Sequence, residues 1–198
     1  MELNQMQLDA IKEIGNIGSG SAATALSELL QRRIEMSVPN IWLIEFEGIA
    51  DIIGQLDSAQ AVVYVKVEGE VSGKAVFFFP LESAEIIVES LFYSSEHPDL
   101  FNCEIAQSAL AEMGNIMVSS FLIALTKLTG IQMHPSVPVL AVDMAGAIMD
   151  AILLEEGLLE DNVLFIDTLI SGIPKIEGQF MFIPDGGALT KLLGALGL

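Results

Sequence analysis

The sequence predicts an α/β layer fold, built as a single pseudo-twofold-symmetric domain from two copies of one unit. Three observations lead there: an internal repeat, a helix-period segment opening each copy, and short apolar strand-like runs bracketed by helices. Residues 9–53 align without a gap onto residues 108–152, an offset of 99, and fifteen of the 45 pairs are identical. Beyond residue 53 the offset drifts to 104, pairing Pro80 with Pro184, each closing an apolar strand. The repeats are taken as residues 1–98 and 99–198 of one domain, with the acidic stretch from Ser94 to Cys103 as connector.

In the first copy Leu8, Ile11, Ile17, Leu26 and Leu29 fall near helical spacing; Ile105, Leu110, Ile116, Leu122, Leu125 and Leu128 do so in the second. Strands are expected over 34–46 with a break at Pro39, then 61–67 and 74–79. Their counterparts are 131–142 around Pro135 and Pro138, then 163–170 and 179–183. Helices are expected over 49–53, 81–93, 143–156 and 187–196.

Composition narrows the function class. Apolar residues make up 52% and mean hydropathy is +0.58, an excess that needs burial in a core or against partners. The longest apolar stretch, 139–154, is interrupted by Asp143 and Asp150, which argues against a membrane span. The N-terminus lacks a basic segment followed by an apolar one, so no signal peptide is expected. A single cysteine, Cys103, cannot form an internal disulfide, in keeping with the cytoplasm. With 27 acids against 8 bases, a net charge of −19, the surface disfavours nucleic acid and anionic lipid.

On the first helix Asp9, Glu13 and Asn16 stand at i, i+4 and i+7, one stripe of side chains that continues to Gly20. Ser108, Glu112, Asn115 and Ser119 repeat it. A lone Glu-x-x-Asn is most often a solvated face. Here two-thirds of the aligned positions have changed, including Lys12 to Ala111 and Glu28 to Lys127 on faces expected to be exposed, while carboxylate and amide persist in both copies. The run Gly15-Asn16-Ile17-Gly18-Ser19-Gly20 is not a phosphate loop: no strand precedes it and no Gly-Lys-Ser/Thr follows. Its glycines suit close approach by a neighbouring helix or a docking partner. His97 and His134 lack metal-ligand spacing, and no Gly-x-Ser-x-Gly elbow is present. A carboxylate beside an amide is not an acid–base pair, because Asn neither gives nor takes a proton at neutral pH. An amide can orient a water for in-line attack on phosphorus, and a carboxylate can grip a lysine on the phosphorylated partner.

The two motifs, Asp9-x-x-x-Glu13-x-x-Asn16 and Ser108-x-x-x-Glu112-x-x-Asn115, resemble the paired signature of the CheC/CheX/FliY phosphatase group. The stretch from Glu13 to Gly20, Ala25-Leu26-Ser27 and Ser37-Val38-Pro39-Asn40 are most similar to its CheC branch, as is a length of 198 residues. The resemblance implies a continuous six-stranded, mainly antiparallel sheet, three strands from each half, with two long antiparallel signature helices on one face. It implies hydrolysis of the aspartyl phosphate of a CheY-like response regulator, with Glu13 and Glu112 on the regulator's lysine and Asn16 and Asn115 orienting the water. Asp9 and Ser108 would support that helix face. No cofactor of its own is implied, Mg²⁺ coming with the regulator. The resemblance also implies binding of CheD, a receptor-modifying deamidase, at the helix over 143–156, with Asp143 and Asp150 as candidate contacts. The competing reading is a non-catalytic adaptor that sequesters CheD or docks on the regulator.

Overall fold

The computed structural model describes residues 3–45, 48, 57–92, 99–155, 162–172 and 176–198. Helix α1 (Gln5–Leu30) opens the chain on a capping box: Asn4 accepts from the Gln7 backbone N–H, and the Gln7 side chain accepts from that of Asn4. Strands β1 (Glu35–Ser37) and β2 (Ile41–Glu45) follow, separated at Pro39, which has no N–H to give a ladder. A long hairpin comes next, β3 (Ala59–Gly69) and β4 (Gly73–Pro80), then helix α2 (Leu81–Phe92).

The second half opens with helix α3 (Glu104–Thr129), again 26 residues long. A turn leads into it: Asp99 accepts from the Phe101 backbone N–H (3.0 Å) and from Asn102 Nδ2 (2.7 Å). Those two bonds, the Asn102 one foremost, hold its carboxyl below its ordinary pKa. Strands β5 (Met133–Pro135) and β6 (Val139–Met144), helix α4 (Ala145–Glu155), strands β7 (Asn162–Ser171) and β8 (Ile176–Pro184) and helix α5 (Ala188–Ala195) complete the order. The helix expected to start at Asp143 therefore starts two residues later: β6 stays paired with β3 as far as Met144 opposite Ala59. The expected helix over 49–53 and the residues 94–98 of the expected connector lie outside the described residues.

Eight strand segments form six lanes. The order is β1-β7-β8-β4-β3-β5, with β2 continuing the β1 lane along β7 and β6 continuing the β5 lane along β3. Every pairing is antiparallel. Each half supplies three lanes, and the outer ones are exchanged. Strands β1 and β2 pair with β7 of the second half, while β5 and β6 pair with β3 of the first. The seam between halves is β4 on β8, from Gly73↔Pro184 to Phe78↔Gln179.

Strand alternation divides the core between the two faces of the sheet. Ala61, Val63, Val65, Phe77, Phe79, Phe180 and Phe182 point to the face covered by α1, α3, α2 and α5. Val62, Val76, Phe78, Phe165, Met181 and Ile183 point to the other, under Ala145, Ile148, Met149 and Ile152 of α4. Among the described residues α3 is the one helix with the length and composition of a membrane span. In this fold it lies on the sheet, with Leu110, Met113, Val118 and Leu122 buried in the core.

Small residues let α1 and α3 meet each other and the sheet. A Cβ at Gly18 would stand 3.0 Å from the Phe121 Cα, so the helices approach backbone to side-chain root. A Cβ at Gly114 would stand 2.6–2.7 Å from three side-chain atoms of Val63 on β3. Gly20 faces open space. Two nominally similar substitutions should therefore part ways in denaturant unfolding. Gly114→Ala should lose about 1–3 kcal/mol, because branched Val63 has no flexible end to move aside. Gly20→Ala should gain about 0.5–1 kcal/mol from helix propensity alone.

Candidate functional site

Helix α1 partitions its faces as its sequence requires. Ile11, Ile14, Gly15, Gly18, Ala22 and Leu26 are buried, and Asp9, Glu13, Asn16 and Gly20 run along an exposed side. Asp9 accepts a 2.8 Å hydrogen bond from Gln5 Nε2 one turn back. The Glu13 carboxylate makes no ion pair or hydrogen bond among the described residues, so it stands ready for a cation from outside.

Asn16 is held. Its Oδ1 accepts a hydrogen bond from the backbone N–H of Val38, at 3.2 Å, from the bend between β1 and β2. Gly15 makes this possible, since the Val38 side chain passes 3.3 Å from where a Cβ would be. A peptide N–H can be satisfied only by an acceptor, so the bond also decides which end of the amide it occupies. The Asn16 Nδ2 is left without a partner among the described residues and is free to donate outward. Lys12, expected on an open face, is half-buried instead, and its Nζ donates to the Pro39 carbonyl in the same bend.

On α3, Ser108 and Glu112 are exposed, and Asn115 and Ser119 are half-buried. Glu112 is likewise without an ion pair or hydrogen bond among the described residues. The setting of Asn115 differs from that of Asn16. Its Oδ1 receives a long 3.5 Å contact from Ser119 Oγ, the residue that replaces Gly20. The matching bend, Ser136-Val137-Pro138, is turned onto the sheet edge: Ser136 N–H donates to the Lys66 carbonyl at 2.8 Å and Lys66 N–H to Ser136 Oγ at 3.0 Å. Val137 is accordingly 83% exposed, against 3% for Val38.

The structure thus places Asp9, Glu13 and Asn16 on one open stripe and Ser108, Glu112 and Asn115 on another, on helices that pack side by side. Asp143 and Asp150 lie on the opposite face of the sheet. Asp143 belongs to β6 rather than to the helix, its Oδ1 accepting from Met144 N–H at 2.7 Å. Asp150 is exposed on α4. Between α4, β6 and β3 runs a groove of about 580 Å³ lined by Val62, Tyr64, Ala141, Ile148 and Ile152, with Asp143 at its margin. His134 is exposed on β5, His97 lies outside the described residues, and no acid, histidine or cysteine cluster able to hold a metal occurs among the described residues. Sequence reasoning did not find the Val38 N–H or Lys12 with Pro39, and it placed Ser119 on the stripe without its contact to Asn115. One signal pointed that way: Ser-Val-Pro recurs unchanged at 37–39 and 136–138.

The comparisons with known proteins fall on the same segments. A model of the CheC-like family matches residues 6–42 and 105–142, the opening of each repeat. The CheY-P phosphatase CheC of Bacillus subtilis is 34% identical over 98% of this chain and 96% of its own length. The flagellar motor switch phosphatase FliY of the same organism is 35% identical over 60% of this chain and 31% of its own. The crystal structure of Thermotoga maritima FliY superposes with a TM-score of 0.79 at 24% identity, covering 100% of this chain and 98% of that one, and supports the fold. An identity of 34% that spans nearly the full length of both chains, with family matches to both repeats, establishes that this chain belongs to the CheC-like family.

Proposed function

We propose that this chain is a phosphatase of a phosphorylated CheY-like response regulator, hydrolysing the aspartyl phosphate at either stripe. The observation that carries the reading is that an unpaired glutamate and an asparagine stand one turn apart on a helix face that reaches solvent, and do so twice, with Asn16 exposed and Asn115 half-buried. An aspartyl phosphate is a mixed anhydride with a good leaving group, so the enzyme need add only position and orientation. Glu13 or Glu112 pairs with the regulator's active-site lysine and fixes the docked pose. Asn16 or Asn115 then holds a water by its amide, aiming one lone pair at phosphorus in line with the departing carboxylate. Water attacks, the P–O bond to the aspartate breaks, and inorganic phosphate and the free carboxylate are released. The metal in this scheme is the regulator's own Mg²⁺; the chain contributes side chains alone. Asp9 and Ser108, one turn before the glutamates, keep the stripe polar where the regulator's surface arrives. We place the protein in the cytoplasm with its regulator, in keeping with a single unpaired cysteine.

Phosphate loss from a Mg²⁺-loaded, phosphorylated CheY-like regulator tests this directly. Decay should accelerate on adding the protein, fall partially in Asn16→Ala or Asn115→Ala, and return to the regulator's intrinsic rate in the double variant. Acceleration that survives in the double variant would leave the amides without a role.

The glutamates should separate from the asparagines kinetically. Glu13→Lys combined with Asn115→Ala removes the anchor from the one working site, and KM for the phosphorylated regulator should rise about tenfold or more, the effect of about 1.4 kcal/mol of lost docking energy. The mirror pair, Glu112→Lys with Asn16→Ala, should behave alike. A lowered kcat at unchanged KM would assign the glutamates to chemistry instead.

A second reading concerns CheD, and the apolar groove beside α4 with exposed Asp143 and Asp150 favours it. CheD docks on this face, opposite both stripes, so the chain can hold it while engaging a regulator. Asp150→Arg should weaken binding of purified CheD in titration calorimetry and leave phosphate decay unchanged without CheD. Unaltered affinity would move the CheD surface elsewhere.

A further inference from the structure

The two stripes are not equivalent, and the difference lies in how each asparagine is held. The Val38 N–H holds Asn16 Oδ1, and the bend carrying Val38 is tied to α1 a second time, one turn earlier, by Lys12 Nζ on the Pro39 carbonyl. The two bonds bracket the bend. The far end of the same bend is tied to the sheet, where Asp167 N–H donates to the Asn40 carbonyl at 3.1 Å and Asn40 Nδ2 to Asp167 Oδ2 at 3.2 Å. In the second repeat the bend is tied to the sheet through Ser136 and Lys66, but among the described residues neither tie to the helix recurs. Ala111 stands where Lys12 does, Val137 points to solvent, and Asn115 has a long serine contact.

The geometry points to Lys12 as a positioning residue of the first site: by fastening the Pro39 carbonyl to α1 it keeps the Val38 N–H on Asn16 Oδ1, and so keeps Asn16 Nδ2 turned toward the docked phosphoryl group. Lys12 is the single cation on α1, yet it is committed to a carbonyl rather than to Glu13 beside it in sequence. That choice leaves the Glu13 carboxylate free for a partner. An amide released from the bend can rotate about its last torsion and offer either end, so loss of the fastening costs orientation rather than docking.

This inference rests on the phosphatase reading of the first stripe, and the test separates the two. In an Asn115→Ala background, which leaves the first site alone, Lys12→Met keeps the aliphatic stem and removes the donor. It should lower kcat for phosphate release about three- to tenfold, the effect of one orienting hydrogen bond, with KM unchanged. Lys12→Arg, which retains a donor, should restore most of the rate. In an Asn16→Ala background, where only the second site works, Lys12→Met should change nothing; an equal loss there would mark a general folding effect and overturn the assignment. Amide hydrogen exchange supplies a readout independent of turnover. Val38 N–H should exchange faster in Lys12→Met than in the unsubstituted protein or Lys12→Arg. Unchanged Val38 exchange in Lys12→Met overturns the proposal even if no phosphatase activity is found, whereas absence of activity with the exchange shift present overturns only the phosphatase reading.

Discussion

The exchange of outer lanes between the two halves is the constraint on which the rest of the molecule depends. Strands β1 and β2 find their only described ladder partner in β7, and β5 and β6 find theirs in β3. A backbone that leaves its own repeat to complete the other's sheet must satisfy its N–H and C=O groups there or not at all. That requirement sets the six lanes in one continuous layer and gives α1 and α3 a common floor. With both long helices on the same face, Gly18 can meet Phe121 and Gly114 can meet Val63, and the two polar stripes emerge on the outer side of the pair. The second face of the sheet is left to α4 and its groove. The polar stripes and the groove thus fall on opposite sides of one layer as a product of topology before any side chain is considered.

Within that frame the site chemistry is economical. Neither glutamate is paired with a cation among the described residues, in a chain whose acids outnumber its bases by 27 to 8. Such an excess leaves carboxylates unpartnered by default, and the proposed docking role of Glu13 and Glu112 requires that condition. The asparagines face the opposite problem, because a free amide has two chemically different ends and rotates readily. The first repeat fixes the choice with a backbone N–H, which accepts no substitute for an oxygen. The glycine at position 15 matters here through space alone: a side chain there would push Val38 and its peptide away from the helix.

Much of this architecture was legible before any coordinates. The repeat located both helices, and the proline breaks separated β1 from β2 and β5 from β6. The helical period put Asp9, Glu13 and Asn16 on one stripe because four and then three steps of about 100° per residue return each side chain to nearly the same side. The start of α4 was misplaced because Asp143 and Met144 suit a helix locally, while pairing with Gln60 and Ala59 holds them in a strand. Such long-range ladders override local preference and leave no mark in a short window. The lane exchange was equally hidden, since each strand carries the same alternation whichever neighbour it joins. Lys12 was read as a surface residue for a related reason. Its partner is a carbonyl 27 residues away, and a carbonyl has no identity in the sequence.

The open glycine at position 20 has a consequence for how each amide is steadied. Here the difference between Gly20 and Ser119 sits one helical turn past each asparagine, where a side chain can reach the amide from the same helix without help from a distant bend. A repeat that gives up its clamp retains a second, local way of steadying the same group. Two different settings for the same amide thus coexist in one polypeptide, one held by a distant peptide N–H and one touched by a serine a turn away on its own helix.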